Sequence, residues 1–211
     1  LIAGKVADAG KIKVSATNAA LVLKEGSVLD VSGVSGDIDV RGLDGTSQRL
    51  RQTEYGSAGT IEVIAHNNMI LDGGFKANAS GTGSGGTFNL TQGGAFVDPP
   101  ASADESQAAY LNPKSQLLVT QHKILRATGV NERPDGQLND FSEVLDANDN
   151  QYIAKSSVSV DQINQAGFDR VNLRSSIDKN TTGRLIMESG LNLQVKNSLT
   201  LDAPLLELQG T

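Results

Sequence analysis

Few residues in this chain could do chemistry, and they are scattered. It has two histidines, His66 and His122, and no cysteine. Thiolate zinc, disulfides and cysteine nucleophiles are therefore excluded together, although this says nothing about compartment. A histidine-based metal site needs further ligands. Neither His66, in Ala65-His66-Asn67-Asn68, nor His122, beside Lys123, has a third nitrogen or sulfur donor near it in sequence. His66 reads as a turn residue and His122 as a solvent-facing one.

Asp146-Ala147-Asn148-Asp149-Asn150 sets oxygen donors at alternate positions, as a calcium loop does. Gln151 follows, however, and the internal glycine and distal glutamate of an EF-hand are missing, so it reads as a solvated turn. Gly81-Thr82-Gly83-Ser84-Gly85-Gly86 is glycine-rich like a phosphate-cradling loop, but no Lys-Ser/Thr follows it and no helix begins there. It reads as a flexible turn. No Gly-x-Ser-x-Gly elbow occurs.

Paired acids are the remaining route to catalysis, as in carbohydrate-active enzymes that face two carboxylates into a groove. The candidates are Asp30, Asp37, Asp39, Asp72 and Asp202. Asp37 and Asp39 lie two apart on a strand and so share a face. The acids are otherwise scattered among turns, and Asp30 is replaced by Asn78 in the next copy of the repeat. We expect no catalytic, cofactor-binding or metal-binding residue, with ligand-binding residues unassigned. A polysaccharide-active enzyme is the main alternative, and a small-ligand or glycan-binding module in the middle of the chain is the other.

The elements that carry these residues follow from an internal repeat. Ala9-Gly10-Lys11-Ile12-Lys13-Val14-Ser15-Ala16 aligns with Ala58-Gly59-Thr60-Ile61-Glu62-Val63-Ile64-Ala65 at an offset of 49 residues. Leu21-Val22-Leu23 then aligns with Met69-Ile70-Leu71, and Asp30-Val31-Ser32-Gly33 with Asn78-Ala79-Ser80-Gly81; a third start lies at Gly85-Gly86-Thr87-Phe88-Asn89-Leu90. Apolar residues alternate with period two, the strand signature. Strands read as short, with Gly, Asn, Asp or Ser between them. The style returns at Leu185-Ile186-Met187, Leu191/Leu193/Val195, Leu199/Leu201 and Leu205-Leu206-Glu207-Leu208.

The chain of 211 residues has 23 Gly but only five Phe, three Tyr and no Trp, which suits thin stacked layers. A solenoid of about 20–25 residues per coil would place two coils in the 49-residue offset. Turn asparagines are expected to stack into hydrogen-bonded ladders. The middle breaks the pattern at Pro99-Pro100, Pro113 and Pro134. There, a short helix is expected at Ser102–Tyr110, a strand at Leu117–Ile124, and a helical turn at Asp161–Ala166 stopped by Gly167. Leu43–Tyr55 reads as a charged loop.

The expected organisation is β-helix coils over 1–95, an insertion protruding from the coil stack over 96–167, and coils continued over 168–211. Net charge is −6 with no Lys/Arg block, so nucleic acid is excluded as a partner. No apolar run is long enough to span a membrane. Leu1-Ile2-Ala3-Gly4-Lys5 lacks a signal-peptide layout, and both ends read as cuts through a longer chain. Their apolar character predicts end-to-end self-association.

The run Ala58-Gly59-Thr60-Ile61-Glu62-Val63 through Leu71-Asp72-Gly73 resembles the filamentous-haemagglutinin-like, two-partner-secretion exoproteins of Gram-negative bacteria. So does Ala166-Gly167-Phe168-Asp169-Arg170-Val171-Asn172-Leu173-Arg174-Ser175, which leads into Ser198-Leu199-Thr200-Leu201-Asp202-Ala203-Pro204. The resemblance covers residues 1–95 and about 156–211. It implies a right-handed parallel β-helix (β-solenoid), which with the insertion read above makes the expected fold all-β with an inserted mixed subdomain. It also implies export through an outer-membrane transporter pore, a secreted or cell-surface location, and a role in adhesion, biofilm or cell–cell contact toward a surface or glycan ligand. It supplies no catalytic motif.

Overall fold

The computed structural model describes residues 5–16, 20–41, 49–66, 68–93, 114–124, 153–175 and 183–210. The expected helix at Ser102–Tyr110, the Asp146–Asn150 turn, the prolines of the middle segment and Leu1–Ala3 lie outside them. Fifteen strands and one helix are described. In chain order the first nine strands are β1 (Lys11–Ala16), β2 (Leu21–Leu23), β3 (Val28–Asp30), β4 (Ser35–Arg41), β5 (Arg49–Tyr55), β6 (Thr60–Ala65), β7 (Met69–Leu71), β8 (Gly74–Lys76) and β9 (Gly86–Gln92). Then come β10 (Lys114–Thr120), β11 (Ile153–Ser159), helix α1 (Val160–Ala166), β12 (Phe168–Ser175), β13 (Gly183–Met187), β14 (Ser198–Asp202) and β15 (Leu205–Leu208).

These strands form a five-stranded sheet ordered β1-β6-β9-β12-β14 and a six-stranded sheet ordered β15-β13-β10-β11-β7-β2, with β3-β8 and β4-β5 as separate pairs. Pairing is parallel in the first three and antiparallel in the last. This overturns the expected single right-handed parallel β-helix: the described strands make four separate small sheets, not one closed winding. Hydrogen-bond ladders run within each sheet and stop at the turns between them. β4 and β5 pair as an antiparallel ribbon, so the charged loop expected at Leu43–Tyr55 is in part a strand. Lys11 pairs directly with Thr60, so the 49-residue offset separates adjacent strands and holds no second coil.

The repeat alignment otherwise gives the register. Ile12 lies against Ile61, Val14 against Val63, and Leu21 against Met69. One match is shifted, because Asp30 lies against Lys76, two residues before Asn78. The expected protruding insertion also needs correction for its described part. β10 and β11 pair with each other, β10 also pairs with β13, and β11 reaches β7, so both are interior strands of the six-stranded sheet. Their apolar residues explain this: Leu117 continues the row of Leu185, Ser156 and Met69, and buried Val119 and Val158 share the row of Met187.

The interior is built from the inward rows. Ile61, Phe88 and Val171 are fully buried in one, and Val63, Leu90 and Leu173 in the next. Polar groups that enter this interior are paired. Ser156 Oγ donates to Gln92 Oε1 and accepts from Met69 N, and the Ser115 and Ser175 hydroxyls meet at 3.1 Å.

α1 starts at a capping box. Ser159 Oγ accepts from Gln162 N at 3.2 Å, and Gln162 Oε1 accepts from Ser159 N at 3.4 Å. Gly167, at φ 80°, ends it in the left-handed region, as its sequence suggests. Among the described residues no helix is long and apolar enough to cross a membrane, which says nothing of a β-barrel.

Candidate functional site

Alternation along the strands of the five-stranded sheet turns every second residue outward, and parallel register lines these up across five strands. One outward row runs Lys13, Glu62, Asn89, Asn172, Thr200. Beside it run Lys11, Thr60, Thr87, Arg170, Ser198 on one side and Ser15, Ile64, Thr91, Arg174, Asp202 on the other. Neighbours within a row are about 4.8 Å apart and rows about 6.6 Å apart. Ile64 is the one apolar member, and no aromatic residue stands on the face.

A β-bulge makes this face continuous. Strict alternation from Phe168 would turn Val171 outward. Instead the register shifts between Phe168 and Arg170, so Phe168 and Val171 both face the interior and Arg170 and Asn172 point out. The extra residue, Asp169, accepts from Gly85 N through Oδ2 at 2.9 Å. Glycine is required at position 85, because a Cβ there would lie 2.4 Å from Asp169 Oδ1 and 2.5 Å from the Gly167 carbonyl oxygen. The glycine-rich Gly81–Gly86 segment is thus a turn that holds a carboxylate and leads into a strand.

Side chains on the face hold one another in place. Asn172 Nδ2 donates to Asn89 Oδ1 at 2.6 Å, a contact between two strand residues and not between the turn asparagines for which a ladder was expected. Lys11 Nζ lies 2.5 Å from Glu62 Oε2 and Lys13 Nζ 3.9 Å from it. The hydrogen bond from Lys11 is the main cause holding the Glu62 carboxyl below its usual range. Arg174 Nε lies 3.1 Å from Asp202. Exposed pairs of this kind contribute little stability each, but they fix the spacing of donors and acceptors that a bound polymer would meet.

The acids weighed for catalysis are distributed over separate elements. Asp30 ends β3 and accepts from Ser32 N at 2.9 Å, which holds its carboxyl below the ordinary range. Asp37 accepts from Thr53 Oγ1 at 2.8 Å and Asp39 lies 3.8 Å from Arg51 Nε, both across the β4–β5 ribbon and on one face as expected. Asp72 sits in the turn after β7, where its carbonyl accepts from Lys123 Nζ, and Asp202 is on β14. Among the described residues no three of His, Asp and Glu come together as a metal site.

His66 occupies the bend after β6. His122 is exposed, and its Nδ1 lies 2.6 Å from Asp161 Oδ2 in the first turn of α1, a pairing that sequence spacing could not reveal. A groove of about 360 Å³ runs between the end of α1 and residues 193–196, with Asn164, Phe168, Asp169 and Lys196 among its walls. It is as polar as it is apolar, unlike the concave apolar pocket expected of a small-ligand module.

Acid should loosen the fold. The His122 hydrogen bond, aided by Gln121, lowers the Asp161 carboxyl, and Asp30 and Glu62 are lowered by their own partners. A lowered folded-state value contributes stability above the ordinary carboxylate range that is lost as pH falls through the folded-state values. Melting temperature is therefore expected to drop below about pH 4, and Asp161→Asn should flatten part of that drop in thermal melts followed by circular dichroism. Comparison of the chain with protein-family models, curated proteins and solved structures found no match.

Proposed function

We propose that this chain is a non-catalytic structural and adhesive segment of a large secreted surface protein of the filamentous-haemagglutinin-like kind. In this reading it is exported through an outer-membrane pore and displayed at the surface of a Gram-negative cell. The observation that carries the proposal is the outward face of the five-stranded sheet, where hydroxyl, amide and charged groups repeat at strand spacing on a rigid base. Such an array suits many weak hydrogen bonds to an extended polar ligand, a glycan or other surface polymer, whose sum gives avidity. Bases would find no aromatic ring to stack on, which disfavours single-stranded nucleic acid. Two runs that carry the resemblance, Ala166–Ser175 and Ser198–Pro204, contain β12 and β14, which are neighbours in this sheet.

The test is retention of the chain on a panel of glycans and cell-surface polymers, beside a variant with Thr87→Glu and Thr91→Glu on the face. Binding is expected, and the variant should weaken it about tenfold without changing the melting temperature. Retention of no panel member, or binding indifferent to the two substitutions, would sink the adhesive reading. Release of reducing ends or of ultraviolet-absorbing unsaturated products from the panel would sink the non-catalytic one.

A further inference from the structure

We infer that the outward face of the five-stranded sheet takes an acidic glycan, one that carries isolated carboxylates between neutral, hydroxyl-bearing sugars. This rests on the adhesive reading above and names its ligand class. Four cations and two acids stand on the face: Lys11, Lys13, Arg170 and Arg174 against Glu62 and Asp202. The whole chain leans the other way, with a net charge of −6. An acidic protein thus turns one positive face outward, and such a surface draws in and orients a polyanion.

Arg170 is the cation left to bind. Lys11 and Lys13 share the Glu62 carboxylate, and Arg174 is paired with Asp202. Arg170 is exposed, and no acid among the described residues pairs with it. The adjacent carboxylate, Asp169, is turned to Gly85 N and stands 3.8 Å from Lys196 Nζ. The bulge itself puts Arg170 on this face, since strict alternation from Phe168 would aim it inward. A planar guanidinium holds a carboxylate through two parallel hydrogen bonds. Its row neighbours are Thr87 and Ser198, with Asn89 and Asn172 in the next row, and their hydroxyls and amides suit sugar hydroxyls. Lys11 begins the same row, three strands and about 14 Å away. That wide spacing suits isolated acid groups, whereas a densely sulfated polymer would leave most of its charges unmet. A bilayer fits less well, because Ile64 is the one apolar side chain of the face.

The test is retention of the chain on immobilised hyaluronan, whose carboxylates alternate with neutral sugars, beside the same polymer with its carboxyls reduced to hydroxyls. Retention on hyaluronan is expected to be about tenfold stronger and to fall as salt rises. Arg170→Gln should remove most of that difference with no change in melting temperature. Lys76→Gln, the same loss of charge on β8 of another sheet, should leave it intact. Equal retention on the two polymers, or an Arg170→Gln variant that still tells them apart, would overturn the proposal and leave the adhesive reading standing. Retention on a neutral glycan, on dextran sulfate or on anionic lipid vesicles in place of hyaluronan would overturn it too, by naming a different ligand. A chain held by no polymer at all fails on both counts.

Discussion

Phe88→Ala is expected to cost about 3–5 kcal/mol of unfolding free energy. Phe88 is fully buried at the centre of the five-stranded sheet's inward face. Its ring centroid lies 5.0 Å from that of Phe75 and 5.1 Å from that of Phe168. Aromatic pairs at such distances contribute beyond the area they cover. The site cannot collapse to fill the loss, because β6 and β12 hold β9 on both sides through parallel ladders. Leu208→Ala, at a residue 66% exposed, should stay within about 0.5 kcal/mol of wild type. Denaturant titration with an unchanged slope measures both. A loss below about 1 kcal/mol at Phe88 would mean that the three rings do not pack as described.

Gly59→Ala is expected to cost about 3 kcal/mol, although the same change at Gly10 should be neutral or slightly stabilising. Both glycines follow an alanine and open the same repeated strand, so sequence context does not distinguish them. Their neighbours do. A Cβ on Gly59 would fall 1.8 Å from the Gly10 carbonyl oxygen and 2.9 Å from that of Ala9. Backbone cannot swing aside there, because the Gly10 oxygen accepts from Thr60 N at 3.0 Å. A Cβ on Gly10 meets nothing within 4 Å, since its strand is the sheet edge. Equal losses for the two variants in paired melts would refute the parallel stacking of β1 on β6.

What the residues revealed and what they concealed divides by the range of the interaction. Ile12/Val14 and Ile61/Val63 show their strands and their mutual register, because alternation and turn chemistry are local and were duplicated. Gly167 marks the end of α1 in the same way, through a local stop, whereas the Ser159–Gln162 capping box that begins it went unread. The Asp169 bulge was hidden, since only the simultaneous burial of Phe168 and Val171 requires it. The β5 half of the ribbon reads as a loop because Leu50 stands among charged and polar residues and stays exposed. β10 was recognised as a strand, but its place beside β11 and β13 depends on pairing across tens of residues, which carries no local mark. The polar face was equally invisible: its members come from five separate strands, and only the register assembles them.

The order of strands also has a kinetic consequence. In the five-stranded sheet, Thr60 to Thr87 spans 27 residues and Arg170 to Ser198 spans 28, whereas Thr87 to Arg170 spans 83. Closing the longest of these costs about 1 kcal/mol more than closing the shortest. The same division recurs in the six-stranded sheet, where β7 and β11 share a single registered pair, Met69 with Ser156. The described strands before residue 94 and those after residue 113 are therefore expected to pair with each other last, along β9–β12 and β7–β11. The Gln92–Ser156–Met69 hydrogen bonds then join the two groups of strands across the interior.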